Sequence, residues 1–244
     1  MTKDKKEIVF SKKTEFRNRK FEIFLRPDAD ESVVAEIFKW QEYKSAEEII
    51  KNCALPILDV GAHIGIFSLY AKAINAAAKI YALEPEENNF DLLKQNVAVN
   101  NLSDVKIFKV ALAGKSGSRD LKLALDSINH HLLSDFDKIE KEDCRHEKVS
   151  VITLGDFLRE NNIGKIGLIK MDIEGGEYEI FESLSAEDFS KIGNIVLEYH
   201  NYFGRHYQEI ENILRKKGFG VQIFPSRFEK DLGFMLARNK RFGK

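Results

Sequence analysis

Residues 57–70 read ILDVGAHIGIFSLY, and this stretch decides the fold that the sequence predicts. Its first four residues form a short apolar run that ends at Gly61, a pattern typical of a buried strand followed by a turn. Phe67 and Tyr70 then recur at helical spacing, so we expect a helix over residues 65–75. A strand, a glycine turn and a helix therefore follow one another here, as they do in α/β proteins.

The same alternation of apolar strands and amphipathic helices continues along the chain. Strands that alternate with helices pair in parallel and are covered on both faces, so the sequence predicts an α/β fold around a mostly parallel sheet. The expected strands are 57–60, 79–84, 105–112, 121–125, 166–172 and 194–199, with an antiparallel pair, 220–224 and 233–238, at the sheet edge. The expected helices are 86–99, 153–160 (with Thr153 as its N-cap), 177–184 and 206–217.

Two regions stand apart from this alternation. In residues 1–55 we expect a hairpin over 8–26 and an amphipathic stretch over 31–50. We interpret this whole region as an appendage packed over the ligand-binding edge of the sheet. Residues 56–244 would then form a single α/β domain. Residues 126–148 are polar and lack clear periodicity, which predicts a long loop, and such loops in compact domains are usually functional or disordered.

The composition limits the class of protein. With 244 residues, of which 43% are hydrophobic, the chain can bury a sizeable core. Its net charge of −1 argues against a dedicated nucleic-acid-binding protein. The charge is uneven, because residues 1–26 carry nine basic and four acidic residues. We expect this basic arm to be a solvated, partly mobile terminus, and a patch for an anionic polymer is the alternative interpretation.

The sequence also predicts where the protein resides. Its first residues are charged and no long apolar segment follows, so we expect neither a signal peptide nor a membrane span. Cys53 and Cys144 form no spacing motif and fit a reducing compartment. These observations predict a cytoplasmic protein that has no membrane partner.

The glycine turn after the first α/β strand has the pattern D-x-G-x-x-x-G, with Asp59 on the strand and glycines at 61 and 65. It is neither G-x-G-x-x-G nor a phosphate-binding P-loop. An acid before the turn would repel a pyrophosphate and would suit an ammonium group. Glu84 ends the next strand, where an acid can accept hydrogen bonds from ribose hydroxyls. Together these features indicate S-adenosylmethionine rather than NAD, although an ordinary glycine turn and a solvated strand end would give the same pattern.

With these motifs in place, the chain resembles the FkbM-type family of S-adenosylmethionine-dependent methyltransferases over residues 23–238. The resemblance rests on DVGAHIG (59–65), LEP (83–85), IKMDIEGGE (169–177) and VLEYH (196–200), and on a lead-in at 25–43 that contains Asp30 and Glu42-Tyr43. It implies a class I methyltransferase fold, which is Rossmann-like and has a mostly parallel seven-stranded sheet with an antiparallel last strand. Residues 56–244 would then be the cofactor-binding domain. The resemblance also implies methyl transfer to hydroxyl oxygens of glycans or secondary metabolites.

The resemblance implies a set of cofactor-binding residues. Asp59, Gly61, His63 and Gly65 would form the cofactor loop, Glu84 would hold the ribose, residues 110–112 with Ala111 would lie against the adenine, and Asp172 would lie near the methyl group. The family usually has Asn where this chain has His63, and His also tolerates positive φ. The segment VALAGKSG (110–117) offers no acidic side chain for the adenine amine.

The stretch KMDIEGGEYE (170–179) suggests the catalytic groups. Asp172 would sit at the carboxyl end of its strand, and Glu174 would face the acceptor or brace the loop. Glu198 and His200 lie two residues apart, so an extended strand points both to one face. His200 is the first candidate for the base because an unperturbed imidazole titrates near neutral pH. Asp172 is the second candidate, because neighbouring carboxylates would make it more basic.

Other interpretations of these acids remain open. Glu177, in the first turn of a helix, suits a structural role at least as well as a catalytic one. A divalent metal held by Asp172, Glu174 and Glu198 is also conceivable, but we expect no metal. His200 could equally be a strand-end histidine without a catalytic role.

Asn129, His130 and His131 occupy the predicted long loop. They could bind the acceptor or cover the site, or they could simply belong to a polar loop. Their spacing is not that of a zinc site.

The sequence therefore predicts an S-adenosylmethionine-dependent O-methyltransferase that acts on a glycan or a small molecule. The alternatives are an RNA methyltransferase that uses the basic arm, and a module that binds S-adenosylmethionine without catalysis. A nicotinamide-dependent oxidoreductase fits least, because the loop lacks the G-x-G-x-x-G spacing.

Overall fold

The computed structural model describes residues 8–27, 29–123, 130–132, 145–201, 204–226 and 230–242. The strands are β1 Phe10–Phe16, β2 Arg19–Leu25, β3 Ile57–Val60, β4 Ile80–Leu83, β5 Val105–Phe108, β6 Ala111–Leu112, β7 Gly117–Leu123, β8 His131–Leu132, β9 Arg145–Ile152, β10 Ile166–Met171, β11 Ile192–His200, β12 Phe219–Pro225 and β13 Leu232–Asn239. The α-helices are α1 Ala29–Val34, α2 Glu47–Lys51, α3 Ile66–Ile74, α4 Glu87–Val99, α5 Leu154–Glu160, α6 Glu177–Ser183, α7 Ala186–Ser190 and α8 Tyr207–Lys216. A π-helix, Ala35–Trp40, and a 3₁₀ helix, Glu42–Ala46, lie between α1 and α2.

A seven-stranded sheet organises the fold, in the order β12-β13-β11-β10-β3-β4-β5. Strands β11, β10, β3, β4 and β5 pair in parallel, whereas β13 is antiparallel to both β11 and β12. The predicted mostly parallel sheet with an antiparallel last strand is therefore confirmed. The predicted hairpin lies at the sheet edge, with β12 outermost.

Alternating side chains of the central strands enter two hydrophobic cores on opposite faces of the sheet. Ile57 and Leu168 join one core together with α3 and the N-terminal hairpin. Leu58 and Ile169 join the other, together with α5, α6 and α8. Because successive side chains of a strand point to opposite faces, continuous apolar runs are what a sheet covered on both sides requires.

The N-terminal hairpin, β1 and β2, attaches to α4 through two buried or half-buried asparagines. Asn96 accepts a hydrogen bond from Phe24 N at 2.6 Å and donates to Phe24 O at 3.0 Å. Asn100 makes the matching pair of hydrogen bonds with Glu22, at 3.0 and 2.7 Å. These side chains pair backbone groups of the hairpin edge that would otherwise lack partners. The division of the chain at residue 55 stays a prediction.

The stretch predicted to be amphipathic over 31–50 is helical, but it is not one regular helix. Six residues form the π-helix, and Gln41 then adopts a left-handed conformation with φ +55° before the 3₁₀ helix begins. π-helical turns are rare and occur often at functional sites. Here the turn redirects Glu42 and Tyr43 toward the sheet.

A second sheet has the order β6-β9-β7-β8 and a small core of its own, formed by Ala111, Ala113, Leu121, Val149 and Val151. Three sequence expectations change here. The predicted strand 105–112 is divided into β5 and β6, the strand predicted over 121–125 begins earlier, at Gly117, and residues 145–148 of the expected loop belong to β9. Pairing between β7 and β9 supplies partners for these polar residues, so they form strands despite weak apolar patterning.

The other predicted elements agree with the structure to within a few residues, whereas helix α7, Ala186–Ser190, was not predicted. Thr153 caps α5 as predicted, accepting a hydrogen bond from Asp156 N at 3.1 Å. Within the residues that the structure describes, no helix has the length and apolar character needed to cross a membrane.

Candidate active site

A cleft opens where β3, β4 and β10 end, at the edge of the sheet where ligands bind in such folds. It holds about 620 Å³ of space when the open solvent at its mouth is included. Several predicted residues line it together, namely Gly61, Glu84, Ala111, His130, His131 and Asp172. Residues from distant parts of the sequence thus share one cavity.

The glycine turn brings the backbone of β3 against the end of β10. Gly61 has φ +69°, and a β-carbon there would lie 1.9 Å from the carbonyl oxygen of Asp172. Its N–H and that of Ala62 both donate to Leu83 O, at 3.1 and 2.9 Å. Gly65, with φ +92°, begins α3 against Leu93. Glycine is therefore favoured at both positions, because neighbouring atoms leave little room for a β-carbon and the backbone is left-handed.

His63 links this turn to two other segments. It has φ +52°, so the predicted positive φ is confirmed, and its N–H donates to Glu84 Oε2 at 2.8 Å. Its ring Nε2 lies 3.1 Å from Asp30 Oδ1. His63 therefore faces the N-terminal segment and is not among the cleft-lining residues that the structure describes.

Asp30 and Arg26 form a buried charged pair that the sequence did not assign to the site. Arg26 donates to Asp30 Oδ2 from its backbone N–H at 2.8 Å and from Nε at 2.9 Å. Burial alone would raise the pKa of Asp30, but hydrogen bonds from His63 and Arg26 outweigh it and lower the pKa. The only sequence signal for this network was the position of Asp30 in the family lead-in.

Glu84 is buried in the cleft wall with both carboxylate oxygens engaged. Oε2 accepts from His63 N, and Oε1 accepts from Glu86 N at 3.0 Å. Burial raises the pKa of Glu84, and the nearby His63 and the backbone hydrogen bonds oppose that rise. The backbone bonds fix the orientation of the carboxylate, which suits an acceptor for ligand hydroxyls.

Apolar residues form the wall of the cleft that the sequence assigned to adenine. Val110, Ala111 and Leu112 line it, with His130 and His131 nearby. The two histidines thus lie on the cofactor side of the site, which fits the covering role better than acceptor binding. Asn129 lies outside the described residues.

Asp59 is fully buried within β3, beneath the glycine turn. Its Oδ2 accepts a hydrogen bond from Ser68 Oγ at 2.7 Å, and its Oδ1 lies 3.6 Å from Lys170 Nζ. Burial raises the pKa of Asp59, while the charge of Lys170 and the hydrogen bond from Ser68 oppose the rise. Lys170 is therefore a site residue that sequence reasoning missed, although it stands inside the IKMDIEGGE motif.

Four predicted catalytic residues form a cluster that adjoins the cleft at Asp172, and we call them the carboxylate mouth: Asp172, Glu174, Glu198 and His200. His200 Nε2 lies 3.4 Å from Glu174 Oε2. One ligand atom each from Asp172, Glu174 and His200 lies within 4.8 Å of the other two. Asp172 has the most accessible side chain of these three, 30% exposed. The predicted convergence is therefore found.

The ionisation of Glu198 separates it from the other mouth residues. Its pKa is raised well above the usual range, first by burial and then by the charges of Asp172, Glu42 and Glu174. The protonated form of Glu198 is therefore favoured more than in an ordinary glutamate, and a protonated carboxyl can donate a hydrogen bond.

The N-terminal segment adds two acids that the sequence did not assign to the site. Burial, with the charges of Glu36 and Asp172, raises the pKa of Glu42 to about 7. Burial and the charge of Asp172 also raise the pKa of Glu36. Tyr43 packs edge-on against Phe67 and Phe234, with ring centroids at 5.0 and 5.4 Å. The segment between α1 and α2 thus covers one side of the carboxylate mouth.

A divalent cation could be held by Asp172, Glu174 and His200, whose oxygen and nitrogen atoms suit several metals. Lys170 Nζ already provides a positive charge 3.8 Å from Asp172 Oδ2. The metal alternative in the sequence used Glu198 in place of His200, whereas the ligand atoms that lie within 4.8 Å of one another belong to Asp172, Glu174 and His200.

Glu177 begins α6 and is fully buried. Its Oε1 accepts a hydrogen bond from Ile173 N at 3.0 Å, so it braces the loop that carries Glu174. Burial raises the pKa of Glu177 to about 7, although backbone hydrogen bonds oppose the rise. These contacts match the structural role proposed for it from the sequence.

Comparisons with known proteins identify a family. The family model described as Methyltransferase FkbM domain matches residues 59–221. Methyltransferase sdnD of Sordaria araneosa is 31% identical over 211 residues, covering 76% of this chain and 81% of that protein. The 31-O-demethyl-FK506 methyltransferase FkbM of Streptomyces tacrolimicus is 26% identical over 190 residues, covering 68% of this chain and 72% of that protein.

Solved structures show the same fold. The crystallised METTL16 MTase domain is 17% identical, covers 82% of this chain and 67% of that chain, and superposes with a TM-score of 0.54. At this identity the likeness supports the class I methyltransferase fold alone.

Proposed function

The chain belongs to the FkbM methyltransferase domain family, as its motifs predicted, and from this premise we propose that it is an S-adenosylmethionine-dependent O-methyltransferase. Its acceptor would be a hydroxyl group of a small molecule or glycan. The observation that supports this proposal most is that Gly61, Glu84 and Asp172, which come from three separate motifs, line a single cleft. The cleft and the carboxylate mouth meet at Asp172, so donor and acceptor groups would face each other there.

The residues of the cleft fit S-adenosylmethionine. Glu84 offers an oriented carboxylate for ribose hydroxyls. The apolar wall at Val110 and Leu112 suits a planar base, and the glycine turn leaves room for close approach of the ligand to the backbone. When bound, the cofactor would supply a methyl carbon activated by its sulfonium group.

The chain's own task would be to align the acceptor hydroxyl and to take its proton. Alignment of two reactants can contribute ~7–11 kcal/mol, and a positioned base about 10²–10⁴-fold. We assign the base to His200 acting with Glu174, because an imidazolium formed 3.4 Å from a carboxylate is stabilised by it. Asp172 is the alternative base, and Glu198 would form a hydrogen bond with the acceptor.

The acceptor class is supported by the relatives. The Streptomyces tacrolimicus relative is named for methylation of 31-O-demethyl-FK506, a hydroxyl-bearing small molecule. We therefore propose a small-molecule acceptor first and a glycan second.

Calorimetric titration with S-adenosylmethionine and S-adenosylhomocysteine tests the cofactor site. We expect micromolar binding by the wild type and a loss of ~1–3 kcal/mol in Glu84→Ala, the cost of unpaired buried polar groups. Glu84→Gln, which keeps an oxygen acceptor for His63 N, should lose less. Asp91→Ala removes an exposed acid from α4 and serves as the matched control, with unchanged affinity.

Two outcomes would contradict the proposal. Absence of binding by folded wild-type protein, or equal binding by Glu84→Ala, would remove the assignment of the cofactor site. Binding without methyl transfer to any of a panel of hydroxylated small molecules and glycans would favour the non-catalytic module instead.

A further inference from the structure

A buried lysine connects the two parts of the site beneath the glycine turn. Lys170 is paired with Asp59 in the register of β10 and β3, and its side chain is 4% exposed. Its Nζ donates to Gly61 O at 2.7 Å and lies 3.6 Å from Asp59 Oδ1 and 3.8 Å from Asp172 Oδ2. One ammonium group therefore contacts the turn, the acid before the turn and the acid at the mouth.

Asp59 is enclosed by groups of the protein itself. Ser68 donates to one of its carboxylate oxygens and Lys170 faces the other, while the whole side chain is buried. A ligand ammonium could reach Asp59 only by displacing Lys170 from its place under the turn. Asp172, in contrast, lines the cleft and is accessible from it.

We infer that Lys170 is a positioning residue for the cofactor-binding turn, and that Asp59 and Lys170 form an internal ion pair that does not touch the ligand. This inference rests on the proposed function, which assigns the turn to S-adenosylmethionine. Lys170 holds the Gly61 carbonyl group and thereby sets the position of the turn relative to Asp172. Asp172 is then the acid of this cluster that faces the ligand amino group. Buried ion pairs contribute little net stability, so a fixed geometry is a sufficient reason for this one.

Binding of two ligands can distinguish whether Asp59 contacts the ligand directly or only positions the turn. One is S-adenosylhomocysteine, and the other is its analogue without the α-amino group. Lys170→Met and Asp59→Asn should each weaken S-adenosylhomocysteine binding on the order of tenfold, the equivalent of one charged hydrogen bond. For Asp59→Asn the factor should be the same with the analogue, because Asp59 does not contact the amino group in our assignment.

Lys72 provides a matched control for removing a buried lysine. It lies on α3, where its Nζ donates to Ala78 O at 3.0 Å and lies 3.3 Å from Asp104 Oδ2. Lys72→Met and Lys170→Met should both lower the melting temperature, but Lys72→Met should leave the affinity for both ligands unchanged. A loss of affinity confined to Lys170→Met therefore cannot come from lower stability.

The double variant Lys170→Met/Asp59→Asn keeps the test possible if either single variant fails to fold. It removes the buried charge of Asp59 that Lys170→Met would leave without its cation, so it should be more stable than Lys170→Met. Its affinity should fall by about the same factor as that of Lys170→Met alone, because two residues that act as a unit are not additive.

Either of two results would overturn the inference. The first is a loss in Asp59→Asn that appears only with the amino-bearing ligand, since Asp59 would then bind the ammonium directly. The second is wild-type affinity in folded Lys170→Met or in the double variant. Failure of the wild type to bind S-adenosylhomocysteine is a different result, because it overturns the proposed function itself.

Discussion

Gly61 and Asp172 are packed so closely that a β-carbon on residue 61 would lie 1.9 Å from the carbonyl oxygen of Asp172. Asp172 N in turn donates to Val60 O at 3.2 Å. The glycine turn and the acidic motif, which are far apart in the sequence, are thus in backbone contact. The proposed donor and acceptor halves of the site therefore cannot shift independently of each other.

Gly61→Ala tests this contact. The added methyl group cannot be accommodated by moving a side chain, because it meets backbone, and φ +69° disfavours any residue with a β-carbon. We expect a lower melting temperature and more than a tenfold loss of S-adenosylhomocysteine affinity, measured by calorimetry. Gly164→Ala is the control, because nothing lies within 4 Å of its β-carbon position. Wild-type affinity in Gly61→Ala would contradict the close approach.

Substitutions at His63 separate its backbone role from its side-chain role. His63→Asn should keep the affinity for S-adenosylhomocysteine within about threefold, because Asn tolerates φ +52° and the bond from N–H to Glu84 remains. His63→Val should cost about 1–3 kcal/mol of stability, because a β-branched residue is strained at this φ. Chemical denaturation and calorimetry measure both effects. Equal stability of the two variants would show that the left-handed conformation imposes no constraint.

The raised pKa of Glu177 should make the stability of the folded protein depend on pH. Burial raises its pKa from the ordinary 4.5 to about 7 in the folded protein. Between these values the folded state holds a proton that the unfolded chain has released, so stability falls as pH rises through this window and is level above it. Glu177→Gln should remove roughly 2–3 kcal/mol of the difference between pH 5 and pH 8 in urea unfolding.

Glu160→Gln serves as the control for this pH effect. Glu160 is exposed at the end of α5, so its substitution should leave the pH dependence as it is in the wild type. An identical pH profile for Glu177→Gln and the wild type would show that Glu177 is not protonated in the folded state.

His200 and Glu174 should act as a pair in turnover. With an acceptor in hand, His200→Gln should lower kcat by roughly 10²–10⁴-fold while the affinity for S-adenosylhomocysteine changes by less than about threefold. Glu174→Gln should lower kcat in the same direction, and the double variant should lose little more, because the two residues lie 3.4 Å apart. Additive losses would show that the residues act independently and would favour Asp172 as the base.

Methyl transfer should not need a divalent metal. Lys170 already places a positive charge 3.8 Å from Asp172, so we expect full activity after dialysis against EDTA. A requirement for metal would have a clear signature. Activity lost with EDTA and restored by Mn²⁺ or Mg²⁺ would assign Asp172, Glu174 and His200 as metal ligands, and His200→Gln would then weaken metal binding in a calorimetric titration.

The central sheet could be predicted from the sequence because its strands are mostly apolar runs that are followed by glycine or acids. β3 and β10 are examples, since every residue in them is buried. Because both faces of these strands are buried, their prediction does not require a decision on which face points to the core. The small second sheet was missed in part, because β9 begins with exposed polar residues and is recognisable only through its pairing with β7.

The site was predictable where residue type and strand end coincide, as for Glu84 and Asp172. It was not predictable where a side chain reaches across the fold. Lys170 is an example, because a lysine in a strand is ordinarily expected to be solvated. Asp30 is another, because its contact with His63 depends on how the N-terminal segment folds over the turn. Glu42 reaches the mouth only because the π-helix and Gln41 redirect the chain.

The position of β13 has a consequence for the order of events during synthesis. It follows all other described strands in the chain, yet it lies between β11 and β12 in the sheet. The hydrogen-bonding edge of β11 therefore stays open on the ribosome until residues 232–239 have emerged, and open strand edges invite pairing with other chains. Glu198 and His200 lie on that edge, opposite Phe234 and Leu232. The carboxylate mouth would thus be among the last parts of the molecule to form, and a nascent chain could bind cofactor before it could methylate anything.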